Sequence, residues 1–339
     1  MLSRNENGAR ARLILFLCFL TFGLSLSALF VGPVQLSIHG VFTGLFFPES
    51  ETGLIVRELR LPRLILSLGF GAGLGLCGAA AQALTRNPLA DPAIFGAPQA
   101  AAFGAVLILS SGIPHVLSFY LPLAAISFAA LSMLVVVVFV ISRRAIISIL
   151  LVGIALGSLF GAGTSFLLSM SENPFAVTEI VFWLLGSFSD RSFVHVGLSL
   201  PFIILGCALL FRCGPAYRAL TLGDDTARSL GYNIGLTTTV TILGIALTIG
   251  AGTAVVGSIG FVGLVAPHLV RAACRGDPSL TLLPSFLTGA CITTAADILV
   301  RCLPSSGEVH VGVVTALTGA PFLLYIAMKK QTPFAGARS

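Results

Sequence analysis

Charge is what this sequence has least of. Only 9% of its 339 residues are Asp, Glu, Lys or Arg, while 56% are hydrophobic and the mean hydropathy is +1.02. A soluble domain carries about one quarter charged residues. A water-facing surface cannot be built from this composition, so the chain reads as an all-α integral membrane protein. Catalytic constellations are also missing. The five histidines (39, 115, 195, 268 and 310) lie far apart, and no acidic pair has metal-binding or acid–base spacing. The seven cysteines show no CxxC or other ligand pattern, and most sit in apolar runs where cysteine acts as a small hydrophobe. Neither disulfide nor metal is expected. The net charge of +6 does not imply nucleic acid as a partner, because the basic residues are scattered between apolar runs.

What is present is a series of charge-free windows, each of the roughly 20 residues that cross a bilayer. They fall at 13–34, 64–85, 92–142 (two spans broken at Ser110–His115), 145–171, 192–211, 236–271 (two spans turning at Gly257–Gly263), 278–296 and 309–328. The first resembles a signal peptide but is expected to remain as an uncleaved helix, given the spans that follow. Ten spans place both termini on one side. With that side cytoplasmic, 14 of the 19 basic residues lie inside, and the acids lean outside, eight against five. The positive-inside rule therefore fixes the orientation. The whole of 1–339 reads as one transmembrane domain with short cytoplasmic tails, 1–12 and 329–339.

Glycine is plentiful, but "GFGAGLG" (Gly69 to Gly75) lies within a span, where small residues let helices approach, rather than in a phosphate-binding loop. "GIALGSLFGAG" (Gly153 to Gly163) has the same character. A loose echo links "GAGLGLCGAAAQALTRNPLADP" to "GAGTAVVGSIGFVGLVAPHLVR". The two begin on opposite sides of the membrane, as an inverted repeat would.

Ion-coupled carriers keep ionisable groups deep in the membrane. Here almost every charge falls at a span end. Asp297 comes nearest to the interior, and Arg301 one turn later can pair with it. A solute carrier of this kind must draw its energy from another protein, which disfavours a stand-alone secondary transporter. Three polar islands could meet partners. Two are outside, "RELRLPR" (Arg57 to Arg63) and Arg301 with Glu308, placed against the positive-inside trend and so suited to an acidic partner. The third, "LTLGDDTARSLGYNIG" (Leu220 to Gly235), is inside. Asp224 and Asp225 suit a helix N-terminus, Arg228 follows, and Gly231 ends the turn.

These segments resemble a known family. "RLPRLILSLGFGAGLGLCGAAAQALTRNPLADPAIFGAPQAAAFGA", "FWLLGSFSD", "LGDDTARSLG", "GSIGFVGLVAPHLVR", "ADILVR" and "GVVTALTGAPFLLYI" are similar, in order, to FecCD-type permeases. These are the membrane subunits of type II ABC importers for iron–siderophores, haem and vitamin B12. The resemblance implies a ten-helix permease in a bacterial inner membrane, paired with a second permease subunit. Two cytoplasmic ABC ATPase subunits would hold the ATP and magnesium, leaving this chain no cofactor and no catalysis of its own. An external substrate-binding protein would deliver the metal chelate, most often ferric siderophore, with haem and cobalamin as alternatives. By the same resemblance Arg60, Arg63 and Arg301 meet acidic residues of the binding protein. The segment Gly223, Asp224, Asp225, Thr226, Ala227, Arg228, Ser229, Leu230 and Gly231, within a coupling stretch of about 214–235, sits in a groove on the ATPase. Asn87 and Pro88 belong to a structural inner loop. The chain departs from the family at Pro98 and Gln99. It departs again at His310, which stands where proline is usual and is expected to be interfacial or pH-sensitive.

Overall fold

A computed structural model describes residues 2–47, 50–111, 120–143, 146–171, 174–303 and 309–328. Among these the chain is helical throughout, without a strand. The elements are α1 (Leu2–Phe30), α2 (Ile38–Phe46), α3 (Glu51–Leu54), a π-helical turn (Ile55–Arg60), α4 (Leu61–Thr85), a 3-10 turn (Pro92–Phe95), α5 (Ala97–Ser110), α6 (Tyr120–Arg143) and α7 (Ile146–Met170). Then come α8 (Pro174–Leu184), α9 (Phe193–Arg212), α10 (Gly214–Leu220), α11 (Asp224–Ser229), α12 (Ile234–Val256), α13 (Val262–Arg271), α14 (Pro278–Cys302) and α15 (Val311–Met328).

Seven of these helical stretches are long and apolar enough to cross a bilayer, and α5, α13 and α15 are apolar but shorter. The expected crossings coincide with helices, yet two of them are not full helical spans. α13 has only ten residues, and the chain reaches it through the irregular segment 257–261. α5 has 14, and is reached through Asn87 and the 3-10 turn. A hydropathy window counts apolar residues whether they are coiled or extended, so it cannot separate these cases. The expected cytoplasmic tail 1–12 is part of α1, helical from Leu2. The expected tail 329–339, Glu308 and most of the Ser110–His115 break lie outside the described residues.

α4 is the axis of the molecule. It packs against α14, α13, α9 and α12 and is almost wholly buried from Leu64 to Leu84. Its glycines make that possible. A Cβ on Gly71 would collide with Thr293, one on Gly75 with the Ser285 carbonyl, and one on Gly78 with the Gly263 carbonyl. "GFGAGLG" is therefore a helix-packing face. The other long buried helix, α12, packs on α9, α6 and α4. Each of these two helices feeds an irregular segment and then a short helix, and Pro92 of one irregular segment lies against Gly263 just after the other. The echo seen in the sequence does not map onto these units in register: the residues aligned with the irregular segment 257–261 are Gly78–Gln82, in the middle of α4. α1 and α7 are peripheral, with Phe16, Phe19 and Leu15 of α1 and Leu159 and Phe166 of α7 exposed on the surface of the bundle.

Candidate functional site

The two ends of the bundle carry different charge chemistry. At the inner end the chain leaves α9, turns through α10 and reaches α11. Gly223 precedes α11 with φ of 98°, a conformation that only glycine adopts without strain. Asp224 and Asp225 occupy the first turn, where the helix dipole favours negative charge. The helix stops in a Schellman motif. The Gly231 N–H donates to the Arg228 carbonyl (2.9 Å) and the Tyr232 N–H to the Ala227 carbonyl (3.1 Å), with Gly231 at φ 87°.

α11 is fastened on one side only. Ala227 is fully buried beneath it, and Arg86, in a left-handed conformation at the C-cap of α4, bridges to Asp224 at 2.8 Å. The opposite side is open: Asp225, Thr226, Arg228, Ser229, Leu230 and Gly231 are exposed, and Leu222 beside them is 63% exposed. Asp225 and Arg228 pair along the surface at 3.2 Å. α10 supplies the base. Tyr217 is fully buried with its hydroxyl 2.8 Å from that of Thr241 on α12, and Arg218 donates to Asp277 at the start of α14 (2.6 Å). Burial alone would raise the Asp277 carboxyl, but its bonds from Arg218 and Ser279 outweigh this and hold it below the ordinary value. Asn87 accepts from the Leu89 N–H (2.9 Å), a local turn that fits the structural role expected of the NPLA loop.

At the outer end every arginine of "RELRLPR" faces inward. Pro62 has no amide hydrogen to extend the helical ladder, and the turn before it widens to π geometry. Arg57 donates to the Leu45 carbonyl at 2.7 and 3.1 Å, tying in α2. Arg60, 5% exposed, reaches the carbonyls of Leu29, Phe30 and Val34. Arg301 donates to Ala28 (2.8 Å) and Val31 (3.1 Å). Together these two guanidiniums satisfy the orphan carbonyls at the C-terminus of α1, where the dipole also favours cations. Asp297 is wholly buried and accepts from both Arg301 (Nε, 3.0 Å) and Arg63 (Nε, 2.8 Å), and Arg63 also bonds Ser189 (2.9 Å). Sequence spacing reveals the Asp297–Arg301 pair; Arg63 comes from 234 residues away.

The loop after α8 completes this end. Gly186, at φ 73°, lets Ser187 bond the Val256 carbonyl (2.8 Å), and the Gly312 N–H bonds Gly186. His310 is buried within the fold and stacked on Phe182 with ring centroids 5.2 Å apart. Gln99 keeps its Oε1 buried and unpaired beside Gly157 of α7. The described residues contain no group of three or more His, Cys, Asp or Glu that could hold a metal ion, and the seven cysteines are free thiols.

The fold is a polytopic helical bundle that presents a short capped helix at one end. The FecCD transport family matches residues 17–329, and the chain belongs to it. The Fe(3+)-citrate import system permease protein YfmE of Bacillus subtilis (strain 168) is 34% identical over 317 residues, covering 92% of this chain and 93% of that one. The vitamin B12 import system permease protein BtuC of Vibrio cholerae (strain El Tor Inaba N16961) is 35% identical, covering 92% and 94%. A solved metal-chelate type ABC transporter in an inward-facing conformation superposes with a TM-score of 0.84 at 28% identity, covering 94% of this chain and 99% of that one. The chain is a multi-pass permease of the metal-chelate class of ABC importers.

Proposed function

We propose that the chain forms, with a second permease subunit, the membrane passage for ferric siderophore, and that two ATPase subunits drive it through residues 223–231. The observation that carries this reading is α11 itself: a capped helix, anchored on one side by Ala227 and the Arg86–Asp224 bridge and exposed on the other. Such a helix transmits a push to α4, the axis of the bundle, without flexing. Iron as cargo is supported by relatives named for ferric citrate and siderophore import. Haem and cobalamin are the competing cargoes, since other relatives are named for them.

At the outer end, Arg63 and Arg301 share the Asp297 carboxylate while Arg60 is held by main-chain carbonyls, so these three arginines and one carboxylate carry a surplus of positive charge that favours an acidic binding-protein surface. Their part in docking is to hold the outer ends of α1, α4 and α14 together, with Arg63, whose side chain is 17% exposed, the one within reach of an incoming carboxylate. Proteoliposomes containing the permease, its ATPase and its binding protein test the assignment. ATP-dependent accumulation of ferric siderophore is expected. Accumulation of haemin or cobalamin alone would overturn the cargo, and proton-driven uptake by the permease without ATPase would overturn the importer reading.

A further inference from the structure

A cavity of about 470 Å3 opens at the inner end of the bundle, between the early turns of α1, the corner from α9 to α10, and the start of α14. Its lining combines basic and hydroxyl side chains with apolar ones. Arg10 of α1 and Arg218 of α10 contribute guanidinium groups, with the Tyr232 phenol nearby. Phe211, in the last turn of α9, and Leu282 and Leu283, in the second turn of α14, form an apolar wall where both helices enter the membrane.

The two arginines are not equivalent. Arg218 is paired with Asp277, which also accepts from Ser279. Among the described residues Arg10 shows no such counter-ion, and its Nε is buried without a hydrogen-bond partner. A buried guanidinium N–H without an acceptor has lost its hydration and gained nothing in return. Natural structures rarely leave such a group in place unless something else fills the role.

We infer that this cavity binds the phosphate headgroup of an anionic phospholipid from the cytoplasmic leaflet, with Arg10 as the principal ligand. A guanidinium matches phosphate in geometry as well as charge. Basic pockets between transmembrane helices on the cytoplasmic side are the usual setting for such headgroups. Free phosphate would satisfy Arg10 but leave the Phe211–Leu282–Leu283 wall wet, whereas a lipid places its glycerol and first methylenes there. The bound lipid would join the inner end of α1 to α10, and α10 leads through Thr221 to Gly223 directly into α11. The site therefore steadies the base of the coupling helix.

The test uses the full-length protein in nanodiscs of phosphatidylcholine, with or without phosphatidylglycerol, followed by native mass spectrometry and thermal unfolding. Wild-type protein should retain one phosphatidylglycerol and unfold at a higher midpoint when that lipid is present. Arg10→Gln should reduce retention about fivefold, the effect of one arginine at an anionic surface, and Arg10→Lys should restore part of it. Arg12→Gln removes an exposed arginine that bonds only its own helix at Gly8, and should change nothing. If Arg10→Gln does not fold, Leu283→Glu, a carboxylate on the apolar wall, should cause the same loss. Equal retention by wild type and the cavity variants overturns the inference. So does an equal rise in midpoint from inorganic phosphate in phosphatidylcholine discs, which would identify a soluble anion. Expulsion of the lipid when ATPase subunits are added also overturns it, since the cavity would then belong to the protein contact.

Discussion

Asp297 shows how much a single side chain can hold in a membrane protein. It is fully buried, and its two oxygens bind arginines from α4 and α14, one of which also caps α1. Removing one partner of a buried ion network leaves the others charged and uncompensated, which costs about 3–5 kcal/mol. Asp297→Ala is therefore expected to lower the unfolding midpoint in detergent sharply, and Asp297→Asn to recover only part of the loss. A midpoint within a degree or two of wild type would mean that the network contributes little. Half of this network is legible in the sequence, because Asp297 and Arg301 are one helical turn apart. The rest depends on α4 meeting α14, which no local pattern encodes. The burial of Arg60 is hidden for the same reason: its acceptors are main-chain carbonyls of α1, and these have no side-chain signature. At the inner end Asp277 adds a pH dependence. Its folded-state pKa lies below the ordinary carboxylate value of about 3.9. Its contribution is thus complete above that value and is lost as pH falls through the folded one. Because Arg218 is largely exposed, the effect is under about 1 kcal/mol. Acid unfolding of Asp277→Asn should be correspondingly less steep than that of wild type below pH ~4, while the two run parallel near neutrality.

At the level of elements, α11 was the most legible feature: acids in the first turn, a basic residue in the last, and glycines at both ends lead from the sequence to the observed helix. Its fastening to α4 was not legible, because Arg86 is 138 residues away from Asp224. Exchanging the pair tests that fastening. Arg86→Asp and Asp224→Arg should each impair transport, and the double exchange should recover it in part. Glycine roles divide in the same way. Gly78 meets the Gly263 carbonyl so closely that no side chain fits, whereas a Cβ on Gly161 of α7 would meet nothing within 4 Å. Gly78→Ala should fail to give folded protein. Gly161→Ala should leave the midpoint unchanged or raise it by the equivalent of about 0.5–1 kcal/mol, as glycine replaced within a helix does. The sequence marks both as small residues in spans; only the fold shows which one touches a neighbour. The shortness of α5 and α13 is likewise a tertiary property, since apolar composition continues through the irregular segments that precede them.

For the molecule as a whole, membrane class follows from composition and the expected orientation from charge placement, and the structure gathers polar clusters at the two ends of the bundle. Arg10, Arg86, Arg218 and Asp277 gather at the end that carries α11, and Arg60, Arg63, Asp297 and Arg301 at the other. The bundle between them has two buried helices, α4 and α12, whose followers meet at Pro92 and Gly263. Arg86 links α11 to α4, and the Tyr217–Thr241 bond links the preceding α10 to α12, so the proposed input at α11 has contacts leading to both helices. On the proposed reading, energy for transport enters there. The most direct measurement is simultaneous ATP hydrolysis and substrate uptake by the reconstituted complex carrying Asp224→Lys with Arg228→Glu. The complex is expected to go on hydrolysing ATP while uptake falls at least about tenfold, the equivalent of 1.4 kcal/mol of lost coupling. Uptake at the wild-type rate per ATP would contradict that reading.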